Sequence, residues 1–460
     1  MVNQQILALC NQYQAILLSE EPVLHIAIAP NPPAQFFEAL RFLSDKTVNV
    51  EYWPAEQLEK ARHSQGSTGK DEPQDLHLAP VVQLLQETLR KAIQLRASDI
   101  HFEPVEQGYQ IRFRVDGVLQ LQPLLPAPLA APLTARLKVL GNLDIAERRL
   151  PQDGQIEIEV EKQTCSFRIS TLPVYHGEKV VLRLMTQTAQ TFELSELGMS
   201  ADDCAHFQSA LTNPQGMILV TGPTGSGKTI TLYSALKILN QVSSNLCSVE
   251  DPIEIPMHGL NQTQINTKAG LSFQNVLRAL LRQDPDIIMV GEIRDGDTAE
   301  IAIKAAQTGH LVLSTLHTNS TAETVVRLEQ MGVERWMLAS ALNMVVAQRL
   351  VRKLCPHCKQ QLADDIILPK TMWANALPRW QAVGCERCYG GFYGRSALFE
   401  ILLIGPALQS AITQGLPAHE IEALARQNGM VTLFESGCRA VEQGLTTQEE
   451  LYRVLGVPHG

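Results

Sequence analysis

The sequence has no apolar run of the length that crosses a bilayer, which takes about 20 residues in a helix. The opening stretch Met1–Cys10 is not followed by the pattern of a secretory signal peptide. Both absences predict a cytoplasmic protein. The content of 45% hydrophobic and 19% charged residues is typical of a globular chain, and 460 residues predict two to four domains.

An even number of cysteines and an excess of basic residues are also missing. Nine cysteines, an odd number, argue against an oxidised disulfide framework. The 38 Lys and Arg residues are outnumbered by 48 Asp and Glu residues, which gives a net charge of −10. Because phosphate contacts require a basic surface, this balance disfavours a nucleic-acid partner, although a locally basic face can coexist with it.

A Gly-rich stretch, G-P-T-G-S-G-K-T, lies between the apolar run Met217–Val220 and the helix-like segment Ile230–Leu239. This context of strand, turn and helix start is the one in which G-x-x-x-x-G-K-[ST] binds nucleoside triphosphates. Glycines let backbone N–H groups approach phosphate oxygens, and the helix N-terminus adds positive potential. The lysine is predicted to reach the β- and γ-phosphates, and the final threonine to bind Mg²⁺. The predicted nucleotide-binding residues are Gly222, Pro223, Thr224, Gly225, Ser226, Gly227, Lys228 and Thr229.

Phosphoryl transfer to water also needs a metal-side carboxylate, a residue that activates the water and a sensor of the γ-phosphate. Glu250 follows the apolar run Leu246–Val249, Glu292 follows Ile287–Val290, and His317 follows a third run. Ligands of open α/β sheets bind at these carboxyl ends. We predict Glu250 as the water-activating base, Glu292 as the metal-side carboxylate and His317 as the sensor. The two glutamate roles can be exchanged, and an acidic helix cap and a structural histidine are the simpler alternatives.

The continuous apolar runs of the segment 196–350 predict a parallel sheet that is covered on both faces, because half-exposed strands alternate instead. Alternation does occur upstream, where Ile111, Phe113 and Val115 are interleaved with Arg112 and Arg114. Both arginines are therefore predicted to share one face of a strand. A solvated strand face is the alternative to a role in catalysis.

Two C-x-x-C pairs form a second constellation with a defined chemistry. In a cytoplasmic chain this pattern is typical of a structural, tetrahedral zinc site. A redox-active pair is the alternative, but neither pair lies at a βα turn of the thioredoxin type. The predicted zinc ligands are Cys355, Cys358, Cys385 and Cys388.

These patterns predict an α/β protein with a RecA-like P-loop ATPase core on a parallel sheet. A smaller α/β (PAS-like) domain precedes the core, and a zinc knuckle and a helical tail from Ser396 follow it. The predicted divisions are 1–60 for a small adaptor domain, 61–77 for a flexible linker, 78–186 for the second α/β domain, 196–350 for the ATPase core, 351–395 for the four-cysteine insert and 396–460 for the C-terminal helical region.

Four ordered motifs resemble the Walker A, Asp box, Walker B and His box of the ATPases of type II secretion and type IV pilus assembly. They are G-P-T-G-S-G-K-T at 222–229, S-V-E-D-P-I-E at 248–254, D-P-D-I-I-M-V-G-E-I-R-D at 284–295 and G-H-L-V-L-S-T-L-H-T-N at 309–319. Upstream stretches such as A-S-D-I-H-F-E-P at 97–104, and the tail, are also similar to this family. The resemblance covers roughly residues 78–460.

The resemblance implies a homo-hexameric ATPase that uses ATP and Mg²⁺ and associates peripherally with the inner membrane. Its implied partner is an inner-membrane platform protein of a pilus or secretion machine, to which hydrolysis delivers work for adding pilin-like subunits. It also implies that Arg112 and Arg114, and less directly Arg149 and Arg168, act as arginine fingers. The separate amino-terminal domain and the four-cysteine insert are similar to assembly motors, because retraction motors lack both.

Two other functions remain open from the sequence. One is a nucleic-acid translocase or DNA-uptake ATPase of related core fold, which the acidic balance and the lack of interleaved aromatic and basic residues disfavour. The other is a nucleotide-gated scaffold that does not hydrolyse ATP. Equally slow hydrolysis of ATP by the wild type and by Glu250→Gln would favour the scaffold over the motor.

Overall fold

The computed structural model describes residues 75–160, 163–185 and 193–457, together with residues 10, 15–19, 23–30, 32, 36–37, 47–54 and 58. The chain divides into two compact units, and every residue of the candidate sites belongs to the larger one, which contains residues 90–127 and 137–460. In the smaller unit, β1 (Ile16–Ser19), β2 (Leu24–Ile28) and β3 (Val48–Tyr52) form one sheet. β2 is antiparallel to β1 and parallel to β3. Most of the predicted linker, residues 61–74, lies outside the described residues, and residues 75–77 begin a helix.

The first sheet of the larger unit is antiparallel, with strand order β6-β5-β4-β9-β8-β7. Along the chain its strands are β4 (Ala97–Val105), β5 (Gly108–Val115), β6 (Val118–Leu121), β7 (Gln152–Val160), β8 (Gln163–Val174) and β9 (Gly177–Met185). The helix α1 (Asp75–Gln94) precedes β4 and the helix α2 (Ala130–Leu140) precedes β7, and most residues of both helices belong to the smaller unit. In β5 the apolar residues Ile111, Phe113 and Val115 are buried and the arginines between them are half-buried. The predicted alternation of β5 is therefore confirmed.

A seven-stranded sheet forms the core of the larger unit, with strand order β12-β11-β13-β14-β10-β15-β18, in which β18 is Phe392–Leu403. Its elements begin with α3 (Ala201–Leu211), β10 (Gly216–Thr221), α4 (Lys228–Leu239), β11 (Leu246–Glu250), β12 (Leu260–Gln264), α5 (Phe273–Leu280), β13 (Ile287–Val290), α6 (Gly296–Gln307), β14 (Leu311–Leu316), α7 (Thr321–Gln330), α8 (Arg335–Ala341) and β15 (Leu342–Leu354). The first six strands in this order are parallel to their neighbours. The four predicted apolar strands are β10, β11, β13 and β14, and all four are confirmed.

Both faces of this sheet are covered, as continuous apolar strands require. One hydrophobic cluster joins Leu219 and Val290 of the strands to α6 and α7, and another joins Val220 and Leu313 to α3 and α4. All residues of β10 and β14 are buried. The carboxyl ends of the parallel strands are thereby held at one edge of a sheet that is buried on both faces.

The chain then forms β16 (Lys359–Gln361), β17 (Trp380–Ala382) and β18 (Phe392–Leu403), followed by α9 (Pro406–Gln414), α10 (Ala418–Gln427), α11 (Leu433–Glu442) and α12 (Gln448–Leu455). β16 and β17 pair as a small ribbon, and β18 is antiparallel to β15. The sheet is thus mixed at this edge. None of the helices in the described parts of the chain combines the length and apolarity needed to span a bilayer.

The prediction of a helical tail is confirmed from Pro406 onward but was wrong for Ser396–Leu403, which continues β18. A short apolar run is compatible with a strand or a buried helix, and its pairing with β15 decides between them. β15 also extends past residue 350 and β18 begins before residue 396, so core strands reach into the predicted four-cysteine insert. The domain limits themselves stay predictions.

Candidate nucleotide and metal sites

The Gly-rich loop leaves the end of β10 and enters α4, whose first residue is Lys228. Gly225 has φ of +79°, a left-handed conformation, and a Cβ added there would meet nothing within 4 Å. At Gly222, by contrast, a Cβ would lie 2.5 Å from the carbonyl oxygen of Gln348. The loop therefore packs tightly against β15 on one side and is open on the other.

The open side of the loop has the chemistry of an anion site. Inside the loop, next to Gly222, the hydroxyl of Ser226 is buried and has no hydrogen-bond partner in the described part of the chain. α4 begins here, so its N-terminal N–H groups and the positive end of its dipole face the loop. Orphaned donors, an open backbone and a helix N-terminus together fit a phosphate group.

Lys228 is folded against this loop. Its Nζ donates hydrogen bonds to the carbonyl oxygens of Gly222 at 2.8 Å and Pro223 at 3.0 Å. Burial lowers the pKa of the Lys228 ammonium to about 8, the Glu292 carboxylate opposes this shift, and the Arg349 guanidinium adds to it. The ammonium is thus held at the loop by weak neutral acceptors that phosphate oxygens can replace.

A cavity of about 440 Å³ opens beside the loop, at the carboxyl edge of the sheet. Its walls combine three groups of residues: the loop with α4, the ends of the parallel strands, and the antiparallel sheet upstream. The residues that matter most for its chemistry are Lys228, Thr229, Tyr233, Glu250, Asp251, Glu292, Arg294, His317, Arg168 and Arg183. The predicted carboxylates, sensor and lysine therefore meet in one place.

Glu250, at the end of β11, is buried with an exposed fraction of 3%. Its carboxylate accepts hydrogen bonds from the hydroxyl of Tyr233 at 2.5 Å, the hydroxyl of Ser248 at 2.6 Å and the amide of Gln262 at 3.1 Å. All three donors are neutral. They compensate the cost of burying the charge and fill three of about four acceptor positions of the carboxylate.

Glu292 follows β13 and has a more open environment, with 18% of its side chain exposed. It forms a close ion pair with Arg294, and its Oε2 lies 3.4 Å from Nε2 of His317. Arg294 in turn lies 3.8 Å from the carboxylate of Asp251. Asp295, which ends the same motif, caps α6 by accepting a hydrogen bond from the N–H of Thr298 at 2.8 Å.

Arg112 and Arg114 do not line this cavity in the described chain. Arg112 makes two hydrogen bonds of 2.7 Å to Glu103, and Nε of Arg114 lies 3.7 Å from Asp99. Arg149 pairs with Glu147 and has 87% of its side chain exposed. Of the arginines that the resemblance singled out, Arg168 lines the cavity.

Sequence reasoning missed Arg183, Tyr233 and Gln262. Arg183 lies opposite Arg168 in the register of β8 and β9, and Asp99 accepts a hydrogen bond from its Nε at 2.8 Å. The alternation Val180, Leu182 against Val181, Arg183 was a usable signal for an arginine on the exposed face. Tyr233 and Gln262 carried no sequence signal, because they contact Glu250 of β11 from two other elements, α4 and β12.

The four predicted cysteines converge although 26 residues separate Cys358 from Cys385. Their sulfur atoms all lie within 4.8 Å of one another, and the Sγ distances are 3.8 Å for Cys355–Cys385 and 3.6 Å for Cys358–Cys388. A tetrahedral zinc ion with Zn–S bonds of about 2.3 Å separates its sulfurs by roughly 3.8 Å. The cluster is therefore compatible with zinc, and the spacing is too long for disulfides.

Comparisons with known proteins agree with this geometry. Residues 74–453 match the family model described as "Type II/IV secretion system protein". The chain is 58% identical over 457 residues to the "Protein transport protein HofB homolog" of Escherichia coli (strain K12), covering 99% of both chains. It is 47% identical over 384 residues to the "Type IV pilus assembly ATPase PilB" of Acinetobacter baylyi, covering 82% of this chain and 66% of that protein.

Among solved structures, the chain resembles the "Pilus Retraction Motor PilT and Bound ADP" with a TM-score of 0.53 and 27% identity, covering 81% of this chain and 97% of that one. The family match covers the sheet, the Gly-rich loop, the carboxylates and the cysteine cluster. This chain therefore belongs to the type II/IV secretion system protein family, and it is a P-loop ATPase.

Proposed function

We propose that this ATPase works as a homo-hexamer at the cytoplasmic face of the inner membrane. Its hydrolysis of ATP drives the assembly of pilin-like subunits or type II protein secretion through an inner-membrane platform protein. The observation that supports this most is the meeting of Lys228, Glu292, His317, Arg168 and Arg183 around one cavity, in a chain nearly co-extensive with a protein transport relative.

ATP is proposed to bind with its phosphates in the Gly-rich loop. Lys228 exchanges the carbonyl oxygens of Gly222 and Pro223 for β- and γ-phosphate oxygens, which bind an ammonium more strongly. Thr229 and one carboxylate offer the oxygen ligands that suit Mg²⁺, which neutralises charge on the phosphates when bound. His317 lies beside Glu292 and senses the γ-phosphate.

Of the two glutamate assignments that the sequence left open, we propose that Glu292 orients the attacking water and Glu250 serves on the metal side. Glu292 follows β13, which is two strands from the loop strand β10, and Glu250 ends β11, which is three strands from β10. At 4.8 Å per strand, the strand of Glu292 lies about 10 Å from β10 and the strand of Glu250 about 14 Å. Glu292 is also the more exposed carboxylate, whereas three donors already occupy most of the acceptor positions of Glu250.

The arginines are proposed to divide between the subunits. Arg168 and Arg183 line the cavity of their own chain, so they neutralise phosphate charge there. Arg112 and Arg114 are held by Glu103 and Asp99 on the same sheet, and we propose that they serve as fingers for a neighbouring subunit. Arginine suits both roles, because its fork donates two parallel hydrogen bonds to phosphate oxygens.

The motor function predicts that purified protein forms hexamers, hydrolyses ATP with Mg²⁺ and binds the cytoplasmic domain of the platform protein. Size-exclusion chromatography with light scattering, phosphate release and a pull-down measure these three properties. Hexamers that hydrolyse ATP without binding that domain would contradict the proposed partner. Stimulation of hydrolysis by single-stranded DNA, with salt-sensitive binding, would favour a nucleic-acid translocase instead.

We also propose that the four cysteines bind one structural Zn²⁺. Cys355→Ser is expected to release the metal and to lower the thermal stability of residues 351–395, because zinc binding and local folding are linked. Metal analysis and hydrogen exchange measure the two effects, and Cys165→Ser, a cysteine outside the cluster, is the matched control. Native protein without zinc would overturn this assignment.

A further inference from the structure

A buried hydrogen-bond network joins the carboxylate of Glu250 to the helix that follows the phosphate-binding loop. Tyr233 lies on α4, five residues after Lys228, and is 1% exposed. Its hydroxyl is 2.5 Å from Oε2 of Glu250. The helix α4, which carries Lys228, is therefore tied directly to a carboxylate on β11, three strands from the loop strand β10.

The partners of the Tyr233 hydroxyl set the direction of its hydrogen bond. The amide nitrogen of Gln262, on β12, lies 3.1 Å from the Tyr233 hydroxyl, 3.1 Å from Oε1 of Glu250 and 3.0 Å from the carbonyl oxygen of Ile255, so its two N–H protons are shared among three acceptors. Because an amide nitrogen only donates and a carboxylate only accepts, the tyrosine proton points to Glu250. Burial, followed by the hydrogen bond to Glu250, raises the pKa of the Tyr233 phenol, so this proton stays in place.

We infer that Tyr233 is a positioning residue for ATP hydrolysis: with Gln262 and Ser248 it holds the Glu250 carboxylate at the cavity wall and fixes it relative to the phosphate-binding loop. Ser248 and Gln262 share Oε1, whereas in the described chain Tyr233 is the donor to Oε2. Loss of the tyrosine hydroxyl therefore leaves Oε2 without the donor that holds it in place, because the other two donors bind Oε1. The inference rests on the proposed role of Glu250 at the nucleotide site.

The test is Tyr233→Phe, which removes one hydroxyl and keeps the buried ring. We expect kcat to fall about 10- to 100-fold, the range for losing a hydrogen bond to a charged group. KM for ATP and the dissociation constant for ADP without Mg²⁺ should stay within about 2-fold, because the loop and Lys228 are unchanged. Tyr452→Phe is the matched control, since it removes a partly buried hydroxyl on α12, outside the cavity, where the hydroxyl accepts a hydrogen bond from Gln448 at 2.6 Å.

A double-mutant cycle separates positioning from a purely structural role. If Tyr233 acts through Glu250, Tyr233→Phe in the Glu250→Gln background should lower kcat less than 2-fold further. Additive losses, or a Tyr233→Phe enzyme with unchanged kcat, would overturn the inference while leaving the ATPase assignment intact. A wild type that does not hydrolyse ATP would instead contradict the proposed function. Gln262→Leu, which removes the amide that donates to Oε1 of Glu250 and to the tyrosine oxygen, should also lower kcat, and it tests the network if Tyr233→Phe does not fold.

Discussion

Glu292→Gln is expected to lower kcat by at least about 100-fold, because it removes the proposed general base that orients the attacking water; this value is the smaller end of the range for such a loss. The amide has the size of the carboxylate and still reaches His317, so ATP should bind with unchanged affinity. Single-turnover phosphate release and equilibrium binding of a fluorescent ATP analogue measure the two quantities. The variant is therefore expected to accumulate as an ATP-bound hexamer.

Glu250→Gln is the informative comparison for Glu292→Gln. Three donors surround the Glu250 carboxylate, and an amide presents its own N–H₂ to at least one of them. We therefore expect this variant to lose thermal stability as well as kcat and to need more Mg²⁺ for half-maximal activity. Normal turnover by Glu292→Gln, with turnover lost only in a stable Glu250→Gln protein, would reverse the proposed roles.

Lys228→Ala is expected to weaken ATP binding by about 10- to 100-fold and to reduce turnover below detection. In the proposed binding mode the ammonium supplies charge-assisted hydrogen bonds to the phosphates, and each such bond contributes about 1.5–3 kcal/mol. Isothermal titration with ATP and ADP measures the affinity. The fold should persist, because in the described chain the hydrogen bonds of this ammonium go to two loop carbonyl oxygens.

Lys237→Ala is the matched control for Lys228→Ala. Lys237 lies on the same helix, but its side chain is 46% exposed and pairs with Glu193 at 2.9 Å. Exposed ion pairs contribute little to stability, so nucleotide binding and turnover should stay at wild-type values. Unchanged ATP affinity in Lys228→Ala would contradict the role given to this lysine.

Some of the fold was predictable because local pattern and burial agree. The apolar runs of β10, β11, β13 and β14 can be satisfied only between two covered faces, so the sequence predicted a covered parallel sheet. β15 and β18 escaped prediction because their apolar residues suit a helix equally well, and their strand form depends on pairing with each other across 37 residues of intervening chain.

The sequence by itself determined the residues that are tied to fixed spacing: the Gly-rich loop, Lys228, the carboxylates after two strands, and the two C-x-x-C pairs. Backbone geometry dictates these spacings, so they are readable without a structure. Only the tertiary structure decided that Arg168 and Arg183, rather than Arg112 and Arg114, line the cavity of their own chain, and that Tyr233 holds Glu250. Those contacts join elements distant in the chain, and sheet order and helix packing, not spacing, bring them together.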